Sequence, residues 1–314
     1  MGRRRIGQEV MGFARPERRS GLDEISDAID WAPLERWLEG ISPPGRGEAG
    51  WPPLALLKAL LLGLWHDLSD VRLAEALEDR ASFRRFCGFS AGEAVPERTA
   101  FVRFRRALVR RRLEGPLFNE VVRQLDARGL TVRTGTLVDA TMVRAASRDD
   151  GQAGWKAYGK DAPVRGYKAH VATDEGGDIV RKVVVTAANV PDARGMGRLL
   201  DRHPGRVWAD SAYDQGPLKE MIRRRRGEPK IVRRMSGAAA TAMNAAKKAW
   251  NATISPVRVR IEKVFGTAKR SYGLGQARYW GRPRVSLQVH LTFIAYNLKR
   301  AANMLRPDAS AAPA

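Results

Sequence analysis

Three acidic residues stand where an acid does nothing for a fold. They are Asp139 in Thr-Leu-Val-Asp-Ala-Thr, Asp210 in Val-Trp-Ala-Asp-Ser-Ala-Tyr, and Glu262 in a strongly basic segment. A carboxylate at the end of an apolar β-run is costly unless positive charge meets it. Two carboxylates placed together raise each other's pKa unless cations compensate, and hard oxygen ligands of this kind suit Mg²⁺ or Mn²⁺. The whole chain carries a formal charge of +22, with 56 Lys and Arg against 34 Asp and Glu. Acids that hold divalent ions inside a cationic protein are the equipment for cutting and joining nucleic acid with two metals. Taken singly, either Asp reads better as a strand-end cap for the loop after it, beside Thr141 or Ser211. The three together carry the inference.

Glu262 belongs to Ser255–Arg270, where Ser255 suits an N-cap and Pro256 the first helical position. Val257, Ile261, Val264 and Ala268 recur at helical spacing and predict a buried stripe. Arg258, Glu262 and Lys269 repeat that spacing one residue later, as a charged stripe beside it. Glu262 could then reach a metal while Arg258 and Lys269 grip phosphate. The plainer alternative is an Arg–Glu i,i+4 pair worth a few tenths of a kcal/mol, with a solvated lysine. Lys168 and His170, at i and i+2, share one strand face; a lysine and a histidine on a wet sheet face is the competing reading. Trp208 reads as packing, and Asn189 and Asp192 as turn-formers around Pro191.

The elements that must position these residues fall into two textures. Residues 1–20 carry six arginines and read as a loose basic arm. Residues 21–130 read as a helical DNA-binding domain. Leu34, Trp37 and Leu38 repeat at helical spacing, the loop Ser42–Gly47 ends that element, and Pro52-Pro53 opens an apolar helix from Leu54 to about His66. Ser69 caps a further helix, and Pro96-Glu97-Arg98-Thr99 starts another; helix, turn and helix resemble a helix-turn-helix reader. Between Arg98 and Arg112 lie seven arginines and no acid, so phosphate contact is favoured over a merely solvated face, with Arg103, Arg106 and Arg110 as the candidate DNA contacts.

From Thr131 the texture turns to β. Strands are expected at Thr136–Ala140, Gly166–Thr173 and Ile179–Thr186, the last two joined by an Asp-Glu-Gly-Gly turn. A helix around Gly195–Leu200, a strand at Arg206–Asp210, a helix at Gln215–Arg226 and a strand at Lys230–Arg233 follow. Ser236–Trp250 reads as a connector or weak helix, and 305–314 as a disordered tail. Three strands, helix, strand, helix, strand, helix is the order of a ribonuclease H-like α/β mixed sheet, here expected over residues 131–304 behind an all-α N-terminal domain. The single Cys87 excludes an internal disulfide and a cysteine zinc cluster, and fits a reduced cytosolic setting. The longest apolar run, Leu54–Trp65, is interrupted by Lys58 and too short to span a bilayer, so membrane binding loses to nucleic acid.

On these residues the chain resembles transposases of bacterial insertion sequences with an Asp-Asp-Glu triad, in the group marked by a Tyr-x₂-Arg-x₃-Glu-x₆-Lys signature. Arg258, Glu262 and Lys269 fall on that spacing, while Ser255 stands where the signature has Tyr. The likeness is closest to the insertion sequence five family and extends over Leu-Val-Asp-Ala-Thr, Gly-Tyr-Lys-Ala-His, Thr-Ala-Ala-Asn-Val-Pro-Asp, Ala-Asp-Ser-Ala-Tyr and Ala295–Arg300. It implies a ribonuclease H-like core, two Mg²⁺ ions (Mn²⁺ as a substitute) on Asp139, Asp210 and Glu262, and DNA contacts from Lys168 and His170. It implies binding of terminal inverted repeats, phosphodiester hydrolysis, and strand transfer by a DNA 3′-hydroxyl. Transposon ends and target DNA would be the partners, a homodimer on paired ends the assembly, and the cytoplasm and nucleoid the location. Two other readings share the charge: a DNA-binding repressor derived from such an element, and a plain metal-dependent nuclease.

Overall fold

The computed structural model describes residues 20–41, 50–157, 162–176, 179–235 and 242–306. The expected arm, the Ser42–Gly47 loop, the Gly177 end of the β-turn, Ser236–Thr241 and all but the first residues of the tail lie outside them. Among the described residues the chain divides into two compact units. One holds residues up to Arg128 with Ser271–Gly273 and His290 onward; the other holds Gly129–Arg270 and Leu274–Val289. The sequence pattern assigns everything from 131 to 304 to one domain, whereas residues from His290 pack with the helical unit.

The helical unit contains α1 (Gly21–Asp27), α2 (Ala32–Leu38), α3 (Pro53–Trp65), α4 (Asp70–Asp79), α5 (Ala81–Cys87), α6 (Arg98–Arg110) and α7 (Glu114–Ala127). A capping box between Ser20 and Asp23 opens α1, and Ser69 caps α4 through the Arg72 N–H. The α3 helix is buried nearly all round, as its composition predicts. Trp37, in contrast, is half exposed. In α6, Phe101, Phe104, Ala107 and Leu108 form the buried stripe. Arg103, Arg106 and Arg110 occupy the opposite, exposed face. Residues 88–97 join α5 to α6, longer than the three- or four-residue turn of a helix-turn-helix reader.

The second unit is built on a six-stranded mixed sheet of β1 (Gly135–Arg144), β2 (Gly154–Lys156), β3 (Val164–Asp174), β4 (Val180–Ala187), β5 (Arg206–Ala209) and β6 (Glu228–Ile231). β3 runs antiparallel to β1, β2 and β4, while β1, β5 and β6 run parallel. This is the ribonuclease H-like arrangement expected from the element order. The short helix α8 (Met196–Leu199) and α9 (Gly216–Arg224) follow β4 and β5. Val138, Ala172, Met196, Leu199, Val207, Ala209, Tyr213, Ile222 and Ile231 share one core. Burying that apolar surface is the main force holding the sheet in register.

Two local expectations are corrected. β1 does not end at Asp139: Thr141, Met142 and Val143 continue the alternation and pair with Ala169, Lys168 and Tyr167, so the acid sits mid-strand. The stretch read as a connector or weak helix is helix from Ala242, in α10 (Ala242–Arg258), which Ala and Lys favour. Finally, Ser255 caps nothing. Pro256 lies inside α10, and the chain breaks at Val259 before α11 (Arg260–Tyr272). A proline removes one helical hydrogen bond and crowds the carbonyl four residues back, yet α10 runs through Pro256 to Arg258. The last helix, α12 (Arg282–Met304), shows in the sequence only through its late Ala295–Arg300 motif.

Candidate active site

Asp139 projects from mid-β1, and Asp210 follows the last residue of β5. The parallel pairing of Val138 with Ala209 makes the two acids successors on neighbouring strands. Asp210 also caps the 3₁₀ turn Ser211–Tyr213, accepting the Ala212 N–H at 2.9 Å. The Asp139 carboxyl is pushed up to about 7, first by burial and further by Asp210 and Asp192, against the lowering effects of the Ala140 N–H and Arg258. Asp210 is raised as well, by burial and by Asp192, with Arg258 and Arg234 opposing. Both carboxyls are therefore harder to ionise than a free aspartate, chiefly because they are buried.

Arg258 links the first acid to the third. Its guanidinium lies 3.4 Å from Asp139 Oδ2 and 2.6 Å from Glu262 Oε1. The helix break at Val259 thus leaves the Arg258–Glu262 pair intact. Glu262 itself is 54% exposed and is held by that arginine. Among the described residues no group of three or more His, Cys, Asp or Glu is gathered tightly enough to hold a metal ion. Asp139 and Asp210 alone fit a divalent cation by chemistry, since two hard oxygen donors with raised pKa values lack charge that such an ion supplies. Lys269 lies on the exposed side of α11; burial of part of its stem and Arg144 lower its pKa.

Lys168 and His170, expected as DNA contacts with a wet sheet face as the competing reading, lie on a covered face instead. Both are buried, at 3% and 0% exposed. Lys168 Nζ donates to Asp192 Oδ1 and to the Val190 carbonyl, both at 2.8 Å. His170 Nε2 meets Thr186 Oγ1 at 2.8 Å, and burial drives its pKa down to about 4. Side chains enclosed and engaged in this way do not present themselves to DNA. Both fall on the β3 face that the 3₁₀ turn Asp192–Gly195 covers: a Cβ on Gly195 would come within 3.2 Å of the His170 ring.

The residue that sequence reasoning misses is Asp192, which reads as a turn-former. It opens that 3₁₀ turn, which packs against the Ser211–Tyr213 turn capped by Asp210, and its charge raises both aspartates. Tyr213 likewise gains a place that its motif does not reveal. Its hydroxyl is buried without a hydrogen-bond partner among the described residues, and burial plus the charges of Asp139, Asp192 and Asp210 push its pKa well up. The only signal for either is position within a motif, because their proximity depends on two turns meeting. Trp208 is 6% exposed and packs, as expected.

A mixed α/β unit with paired carboxylates at adjacent strands, and a helical unit with an arginine face, is the build of an enzyme that acts on nucleic acid. Residues 130–298 match the family described as Transposase DDE domain, and residues 13–107 match Transposase domain (DUF772). The chain belongs to the DDE transposases of insertion sequences. It is a transposase, an enzyme of DNA transposition, and such enzymes work with divalent metal ions. No solved structure matches the chain. Among the described residues no helix is long and apolar enough to cross a membrane.

Proposed function

We propose that Asp139, Asp210 and Glu262 are the catalytic acids and that they hold two Mg²⁺ ions, with Mn²⁺ able to substitute. The observation that carries this reading is the placement of Asp139 and Asp210 on neighbouring strands, both raised first by burial, with Asp139 joined to Glu262 through Arg258. Bound divalent cations supply charge neutralisation at the scissile phosphate and acidify the attacking hydroxyl. In the first step a water oxygen bonds to phosphorus and the 3′-oxygen leaves as a hydroxyl. In the second that 3′-hydroxyl attacks target DNA, displacing another 3′-oxygen. Neither step needs a covalent bond to protein. Glu262 must exchange Arg258 for the metal site, which frees the guanidinium for a phosphate oxygen. Lys269, two turns further along the same helix face, would contact the next phosphates. Buried Lys168 and His170 position the Asp192 turn.

In this reading Arg103, Arg106 and Arg110 bind the terminal repeats, a homodimer pairs the two ends, and the enzyme works on DNA in the cytoplasm. The element would belong with insertion sequence five. The test is Mg²⁺-dependent joining of a labelled transposon-end duplex to plasmid. Joining by the parent, and its loss in Asp210→Ala with end binding retained, is the expected result. End binding without any Mg²⁺-dependent chemistry in the parent would favour a repressor instead.

A further inference from the structure

Two tryptophans of the sheet unit are left half in solvent, and the sheet register places them. Trp155 and Trp280 are each 51% exposed, whereas Trp208 in the same unit is 6% exposed. On β3, side chains at Arg165, Tyr167, Ala169 and Val171 alternate onto one face. Val171 is opposite Asp139, and Arg165 is opposite Trp155, so Trp155 shares the Asp139 face. The six-residue step from Val171 to Arg165 puts it about 20 Å along the strand from the acid row. The Arg165 guanidinium stands 5.7 Å from the Trp155 ring and is fixed by the carbonyls of Arg148 and Asp150.

The Trp280 loop docks on that same face. The Gly281 N–H donates to Asp150 Oδ2 at 3.0 Å, and the same oxygen accepts the Tyr167 hydroxyl at 2.7 Å. The Arg282 N–H donates to Gln152 Oε1 at 2.8 Å. Arg148, Arg282 and Arg284 are exposed, the Arg284 guanidinium reaching the Trp280 carbonyl, and Asp149 is an exposed acid beside Arg148. Among the described residues, packing leaves about half of each of these side chains in solvent. Exposed indoles with an arginine beside each match the recurring requirements for single-stranded nucleic acid: a flat apolar surface for a base and cations for its phosphates.

We propose that Trp155 and Trp280, with Arg165, Arg282 and Arg284, form a stacking surface for unpaired DNA bases, separate from the acidic site. It deepens the proposed function and rests on it, because a strand cut at Asp139 and Asp210 that ran along this face would meet it within a few nucleotides. An indole cannot stack on bases inside an intact duplex, so the occupant is a single strand or a frayed end. A partner protein of apolar surface would not account for the arginines.

The test uses the full chain, without metal, and fluorescence anisotropy of a labelled oligothymidylate and of a blunt duplex of equal length. Trp155→Ala and Trp280→Ala should each weaken single-strand binding by about 5- to 100-fold, with a much smaller effect on the duplex. Because both side chains are half exposed, unchanged thermal unfolding is expected and serves as the folding control. Unchanged oligothymidylate affinity in the double variant overturns the proposal. So does an equal loss on both DNA forms, or a change in self-association alone. Asp210→Ala should bind oligothymidylate like the parent, so failure of strand joining and failure of the stacking surface are told apart.

Discussion

Asp139 and Asp192 are each held by a cation, and the two attachments differ in kind. Asp192 is held by Lys168, whose side chain is 4% exposed and rises from the middle of β3. Asp139 is held at 3.4 Å by Arg258, a residue 19% exposed at the end of α10 and shared with Glu262. The buried lysine can leave only by abandoning its charge in the core, a step costing several kcal/mol. Under the proposed function, the arginine would trade its two carboxylates for a phosphate. The difference would then separate a part that keeps two turns in place from a part that lets go when substrate and metal arrive.

The largest expected effects are in pH. In the metal-free protein Asp139 is raised from 3.8 to about 7. It therefore contributes full stability below 3.8 and loses it as pH climbs to 7, by about 4 kcal/mol at most. His170 is lowered from 6.5 to about 4. Its contribution is present above 6.5 and lost as pH falls to 4, by about 3 kcal/mol. The two slopes oppose each other across the same window and partly cancel. Urea unfolding in chelator should uncover each by difference. Asp139→Asn should gain on the parent as pH rises, and His170→Gln should gain on it as pH falls. A profile parallel to the parent's in either variant would show that the assigned group does not titrate this way. Added Mg²⁺ should flatten the Asp139 slope in the parent alone.

Next in size is the contrast between the two cations. Asp192→Asn leaves the Lys168 ammonium buried with the neutral Val190 carbonyl to accept from it and no facing carboxylate charge. A loss of about 2–3 kcal/mol is expected, below the full buried-pair figure because Asp192 is partly exposed. Arg258→Gln should cost under about 1 kcal/mol. Thermal or urea unfolding at pH 7 ranks the two; equal losses, or the reverse order, would erase the distinction between a fixed and a releasable cation.

How much of the fold and site is legible in the chain alone follows from what each signal depends on. The sheet unit is legible because strand periodicity and turn residues are local, and because the order of elements leaves few ways to wind them. Asp139 and Asp210 are legible because an acid in an apolar run is conspicuous within a few residues. Asp139's place mid-strand is not, since the continuation to Arg144 is set by pairing with β3 across the sheet. Lys168 and His170 mislead for a related reason. Their alternation shows that they share a face, but which face is covered depends on the Asp192–Gly195 turn, distant in sequence. Pro256 suggests a helix start, its commonest place, and only packing reveals that a helix already runs through it.

The smallest expected effect concerns the helical unit. Arg103, Arg106 and Arg110 lie on the open face of α6, whereas Arg105 on the same helix turns aside to pair with Asp70 through two guanidinium nitrogens. Arg84 goes further and is buried, donating to the carbonyls of Leu77, Ser90 and Glu93. Replacing an open-face arginine by Gln should change folding stability by less than about 0.5 kcal/mol. It should instead lower the slope of log binding constant against log salt by about 0.9 for each phosphate that is no longer neutralised. Arg84→Gln should behave in the opposite manner, destabilising the helical unit while leaving the salt slope of the folded fraction unchanged. A salt titration of end-duplex binding across these four variants decides it. An unchanged slope in all three open-face variants would mean that this face is solvated surface and that the terminal repeats are gripped elsewhere.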